Sequence, residues 1–213
     1  YRTMKLLVVG SGGREHAVIR KLKENKEIEK IYCAPGNGGI SADAECVDIK
    51  ATDKENMVKF AKENAIDFCV VTPDDPLALG MVDVMEEAGI PCFGPKANAA
   101  IIEASKAFSK DLMKKYGIPT ADYETFDNEK DALHYIEEKN TFPIVIKADG
   151  LALGKGVLIC ETLDDAKTAL REMMVEHVFG LSGNKVVVEE FMTGKKELSS
   201  INSGSLMNFV NDI

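Results

Sequence analysis

The sequence predicts an α/β protein in two parts: an open parallel sheet, then an α+β subdomain whose strands fold back on one another. Three observations carry this. Through residues 4–104, short apolar runs alternate with amphipathic helical stretches, the pattern of a parallel sheet with crossover helices. After about Ala104 the pattern changes, and two apolar strands, "PIVIKA" and "GVLIC", flank a single glycine-rich stretch, which favours an antiparallel hairpin over a crossover. Glycine-bearing loops also follow three of the early strands, at the edge where open sheets hold their ligands.

The elements follow in order. "KLLVVG" (Lys5 to Gly10) is a continuous apolar strand, and Val18, Ile19 and Leu22 share the face of the helix behind it. "IYCA" is a second strand. Met57, Val58 and Ala61 mark a helix, and "FCVVT" (Phe68 to Thr72) a buried strand. Ala78, Met81, Val82 and Met85 predict one helix that ends at Gly89-Ile90-Pro91, with "CFG" as a short strand after it. Beyond Ala104, Ser105 to Tyr116 predicts a helix stopped by "GIPT"; "YETF" is a strand and Lys130 to Glu138 a helix. The hairpin strands come next, then a helix with Leu163, Ala166, Leu170 and Met173 in register, then the strand "KVVVEEFM". Residues 195–213 show neither period and stand apart as a divergent tail.

Charge and composition exclude several classes. With 35 acidic against 26 basic residues the net charge is −9, the wrong sign for a nucleic-acid binder. An anionic ligand must therefore be held by a local site. No apolar run approaches the ~20 residues needed to span a bilayer, and "MKLLVVGSGG" breaks into glycine too early for a signal peptide. Tyr1, Arg2 and Thr3 precede Met4, which reads as the initiator. The five cysteines (Cys33, Cys46, Cys69, Cys92, Cys160) are odd in number, scattered and without a CxxC pair, so buried reduced thiols and a cytoplasmic location are expected. His16, His134 and His177 lie far apart, and no metal-ligand spacing appears.

"VVGSGGREHA" places Gly10, Gly12 and Gly13 between a strand and a helix, where unhindered backbone presents N–H groups and a positive helix end to an anion. The dinucleotide fingerprint needs glycine at position 15, where Glu15 stands, so a phosphate or phosphosugar fits better than NAD. The alternative is a tight turn with no ligand. "APGNGGISADA" and "VVTPDDPLALG" each follow a strand and would emerge on the same sheet edge. Asp74 and Asp75 could accept hydrogen bonds from a ribose or an amine, or an Asp there simply caps the next helix.

"KADGLALGKGVLI" (Lys147 to Ile159) is not a Walker A loop: Gly150 and Gly154 are too close, Gly156 follows Lys155 where Ser or Thr is required, and a strand follows instead of a helix. A hairpin tip bearing Lys155, with Lys147 on the preceding strand, would instead fold over a triphosphate as a lid. A solvated turn lysine is the plain alternative for Lys155. For Lys147, set among "PIVI" and Ala148, a partner is required. "VVVEEFM" ends a buried strand in two carboxylates, suited either to an adenine edge or to solvent.

Together these segments resemble the phosphoribosylamine–glycine ligase (glycinamide ribonucleotide synthetase) family of the ATP-grasp superfamily, enzymes of purine biosynthesis. "GSGGREHA", "PGNGG", "PDDPLALG", "GPKANAAIIEASKAFSKDLMKKYGIPTA", "PIVIKADGLALGKGV" and "VVVEEFMTG" carry the resemblance, from Met4 to about Gly194. It implies an N-terminal pre-ATP-grasp α/β domain (4–104) that binds the phosphoribosyl substrate through Gly12, Gly13, Arg14, Glu15, Gly36, Asn37, Gly39, Asp74 and Pro76. It implies that residues 105–194 are the first part of an ATP-grasp domain. There Lys106, Lys147 and Lys155, with Gly154 and Gly156, would lie near the phosphates of ATP; Glu189, Glu190 and Phe191 would hold adenine, and Glu197 would reach the ribose. The implied reaction joins glycine to phosphoribosylamine through a glycyl phosphate, with ATP and Mg²⁺ or Mn²⁺. The small-molecule partners are those substrates, with no nucleic acid and no membrane.

Thr72 stands where the family commonly has glycine, and Asp74 where it has glutamate. "GKKELS" has one residue more than the usual spacing, and the family's catalytic and metal-binding residues are expected in a C-terminal part that the chain does not contain. The expectation is a truncated or frame-shifted ligase with little or no activity. A non-catalytic phosphoribosyl- or nucleotide-binding fragment is the alternative.

Overall fold

The computed structural model describes residues 3–152 and 156–194. The chain divides between Ala100 and Ile101 into two compact units. In the first, the apolar run β1 (Met4–Gly10) lies at the centre of a five-stranded sheet in the order β3-β2-β1-β4-β5. Its neighbours are β2 (Ile28–Pro35), the short β3 (Glu45–Cys46), β4 (Phe68–Val71) and β5 (Cys92–Phe93), and every pairing is parallel. A parallel strand covered on both faces must be apolar throughout, which is why β1 shows no alternation.

Helix α1 (Gly13–Leu22) sets Val18, Ile19 and Leu22 against Val8 on one face. Helices α2 (Lys54–Glu63) and α4 (Met81–Glu87) cover Leu7 and Val9 on the other with Met57, Ala61, Met81 and Met85. The single helix expected around Ala78 to Met85 is two. The short α3 (Asp74–Ala78) ends before Gly80, whose backbone is left-handed at φ 85°, and α4 begins immediately after it. The apolar spacing continues across the break, so periodicity does not reveal it.

Helix α5 (Ala97–Ala104) carries the chain across the division. The second unit opens with α6 (Lys106–Tyr116), capped by Ser105, whose hydroxyl oxygen accepts the N–H of Phe108 at 3.1 Å. Four antiparallel strands follow in the order β6-β9-β7-β8: β6 (Tyr123–Phe126), β7 (Ile144–Ala148), β8 (Val157–Cys160) and β9 (Val186–Glu190). The expected hairpin is β7–β8, with Lys147 opposite Val157.

Two helices, α7 (Glu129–Lys139) and α8 (Leu163–Leu170), close one face of this sheet over Ile144, Ile146, Ala148, Val186 and Val188. Their caps are Asn128 and Thr162, which accept the N–H groups of Asp131 and Asp165. Register places the remaining side chains on the opposite face in two rows, Tyr123–Glu189–Val145–Ile159 and Thr125–Val187–Lys147–Val157. No helix among the described residues is long and apolar enough to cross a membrane.

Candidate functional site

In the first unit, three loops leave the carboxyl ends of β1, β2 and β4 side by side. Side chains tie them together. Glu15, 5% exposed, accepts the N–H of Gly12 at 2.7 Å through Oε2 and the hydroxyl of Thr72 at 2.6 Å through Oε1, so it joins the first loop to the third. Asn37 donates from Nδ2 to Ser11 O at 2.7 Å, while its Oδ1 accepts the N–H groups of Gly39 and Ile40 at 2.8 and 2.9 Å. It joins the second loop to the first. Gly36 N–H adds a backbone bond to Gly10 O at 3.0 Å.

Gly10 makes this closeness possible. Its φ is 132°, and a Cβ there would lie 2.7 Å from Glu15 Cγ and 2.8 Å from Pro73 Cγ. With the loops pinned, the first turn of α1 keeps its N–H groups without intrahelical acceptors, facing an edge where Arg14 and Asp74 are exposed. Pro76 is buried in α3, while Gly12, Gly13 and Gly39 lie at the surface. Beside the loops, Asp43 receives His16 Nε2 at 2.8 Å and Lys23 Nζ at 2.7 Å, and these hydrogen bonds, Lys23 first, lower its carboxyl pKa to about 2.

In the second unit the sheet face opposite α7 and α8, which α6 meets at β9, gathers charge. Glu189 is buried, and its carboxylate pairs with Lys147 through Oε1 and with Lys110 of α6 through Oε2. Lys110 also donates to Thr120 Oγ1 at 2.8 Å, and its ammonium lies 5.5 Å from the centre of the Tyr123 ring. Tyr123 in turn donates to Asp111 Oδ1 at 2.7 Å, and desolvation together with that contact pushes its phenol up to about 12.

Lys106 begins α6. Its Nζ donates to Gly150 O at 3.1 Å, and its pKa is lowered by burial and by the neighbouring Lys147, while Asp149 opposes the shift. Lys106 thus stands at the end of β7, the strand that carries Lys147. Asp149 accepts the N–H of Ala107 at 2.6 Å and the Ser105 hydroxyl at 3.1 Å, which locks the start of α6 to the end of β7. Gly156 is needed for its lack of a side chain, since a Cβ would lie 2.8 Å from that of Ala152 and 3.0 Å from that of Ala148.

Of the residues expected around a nucleotide, Lys147 and Glu189 pair on this face, and Lys106 stands beside Gly150 at the end of β7. Glu190 follows at the strand end, where its Oε1 accepts the N–H of Asp122 at 3.2 Å, and Phe191 is half-exposed beyond it. Gly154, Lys155 and Glu197 lie outside the described residues. Sequence reasoning missed Lys110, whose one-turn spacing from Lys106 on α6 is the signal that would have found it. It also missed Thr72 as the partner of Glu15. Among the described residues no group of three or more His, Cys, Asp or Glu side chains gathers that could hold a metal ion.

An α/β unit with a parallel sheet, followed by an antiparallel sheet with helices, defines the class: an ATP-grasp fold with its preceding domain. The fold is shared with the biotin carboxylase domain of the Hydrogenobacter thermophilus 2-oxoglutarate carboxylase, at a TM-score of 0.73 and 21% identity over 90% of this chain and 45% of that one. Family models then narrow the class. One described as "Phosphoribosylglycinamide synthetase, N domain" matches residues 4–103, and one described as "Phosphoribosylglycinamide synthetase, ATP-grasp (A) domain" matches residues 104–207. The chain belongs to the phosphoribosylglycinamide synthetase family. The second match runs beyond Gly194, where the motif resemblance ends.

A curated phosphoribosylamine–glycine ligase from Listeria innocua is 51% identical over 98% of this chain and 48% of that protein. The crystal structure of phosphoribosylamine–glycine ligase from Thermotoga maritima superposes with a TM-score of 0.72 at 30% identity, over 90% of this chain and 45% of that one. The chain thus spans about half the length of the curated relatives it matches.

Proposed function

We propose that this chain carries the phosphoribosyl-binding surface and part of the ATP-binding surface of a phosphoribosylamine–glycine ligase, acting in the cytoplasm. The observation that carries the reading is the placing of Lys106 and Lys147 at the end of β7, with Lys147 paired to the buried Glu189. Two ammonium groups at the end of one strand have a shared use if a polyphosphate arrives beside them. In the first unit, the pinned loops around the α1 N-terminus suit a single phosphate with Arg14 and Asp74 at its rim.

In the family's reaction a glycine carboxylate oxygen attacks the γ-phosphorus of ATP, the bond to the bridging oxygen breaks, and glycyl phosphate and ADP form. The amine of phosphoribosylamine then attacks the acyl carbon, phosphate leaves, and the amine loses a proton to solvent. Lys106 and Lys147 hold the phosphates in line and stabilise charge that builds on them.

The second reading is a non-catalytic phosphoribosyl-binding module, supported by the first unit's loops being pinned by its own side chains around the α1 N-terminus. Calorimetric titration separates them. ATP with Mg²⁺ and ribose 5-phosphate are titrated separately into the whole chain. Both should bind, and Lys147→Ala should weaken ATP by roughly tenfold, the loss of one charge-assisted contact. Binding of ribose 5-phosphate with no heat from ATP would favour the module.

A further inference from the structure

We infer that Lys110 is a positioning residue: its fixed charge neutralises Glu189 and so leaves Lys147 detachable. Both lysines reach the same buried carboxylate, yet their surroundings differ. Lys110 donates to Thr120 Oγ1 at 2.8 Å and to Ala121 O at 3.4 Å, and it pairs by charge with Glu189 Oε2, an oxygen that has no hydrogen-bond partner. Its side chain is 11% exposed, against 29% for Lys147. Among the described residues Lys147 has no acceptor besides Glu189. A desolvated carboxylate stripped of every counter-ion is strongly destabilising, so one lysine must stay.

Lys110 is the one that stays. Lys147 then swings from Glu189 toward an anion at the end of β7, where Lys106 stands, without stranding a buried charge. The second half of this inference rests on the nucleotide reading above, with the anion a polyphosphate; the first half does not.

The test compares Lys110→Met, Lys147→Met and the pair Lys110→Met with Glu189→Gln in the whole chain. Lys110→Met should lower the melting midpoint by about 8 °C or more and Lys147→Met by less than about 3 °C. Equal losses, or the larger loss for Lys147→Met, overturn the inference. Inorganic tripolyphosphate, which lacks a purine, is then titrated by calorimetry. In Lys110→Met, Lys147 becomes the sole partner of Glu189, and binding should weaken roughly tenfold. In the double variant the uncharged amide needs no counter-ion, and binding should return to within roughly threefold of the parent. A double variant with native circular dichroism that does not regain binding also overturns it. If the parent chain binds neither tripolyphosphate nor ATP, the nucleotide reading fails, and the melting comparison still decides whether Lys110 is the fixed counter-ion.

Discussion

Glu15 follows two glycines at the start of a helix, a position that suits a ligand contact, yet its carboxylate is occupied by the Gly12 N–H and the Thr72 hydroxyl. The two donors hold the first and third loops in one arrangement. Thr72→Val keeps the shape of the side chain and removes its hydroxyl, leaving one oxygen of a buried carboxylate without its donor. We expect a loss of about 1 to 3 kcal/mol, read from the urea midpoint of the first unit. No change in midpoint would mean that water replaces the hydroxyl. Spacing in the sequence located Glu15 at a helix start but could not name its partner, because Thr72 is 57 residues away. The same holds for Asn37, whose amide joins loops rather than facing outward.

Helix α6 has a double cap. Ser105 takes the N–H of Phe108 and Asp149, from beyond β7, takes that of Ala107. Asp149→Ala should therefore cost about 1 to 2 kcal/mol, since it removes an acceptor and a negative charge from a helix N-terminus. Chemical denaturation followed by circular dichroism checks this. A cost below that of Ser105→Ala would show that the local cap suffices. The substitution should also lower the Lys106 pKa further, because Asp149, ahead of Glu103, raises it against burial and Lys147. The hairpin β7–β8 was readable because two apolar runs with only a glycine-rich stretch between them leave no room for a helix. The split between α3 and α4 was not, since Gly80 sits inside an unbroken apolar period.

The molecule holds separate hydrophobic cores, and each closes on residues of its own unit. Leu170 is fully buried among Ile146, Met173 and Val188. Leu170→Ala should cost about 2 to 5 kcal/mol. Hydrogen exchange should show faster exchange in β7 and β9 with β1 and β4 unchanged; equal acceleration in both sheets would refute separate cores. Sheet register also gathers cysteines that look scattered along the chain. Cys33 lies opposite Cys46 and Cys69 opposite Cys92, all as free thiols, and burial raises that of Cys33 to about 12.

Most of the element order, though not β3, α5 or the α3–α4 split, could be read from the linear pattern, as could the change from a parallel to an antiparallel sheet and the glycine turns. Those features answer to local demands: a repeat of apolar side chains, or a backbone turn that excludes a Cβ. Which carboxylate meets which ammonium could not be read in this way. Glu189, Lys110 and Lys147 come from three different elements, and an ion pair depends on separation in space and on burial, which exist only once the sheet and α6 have packed.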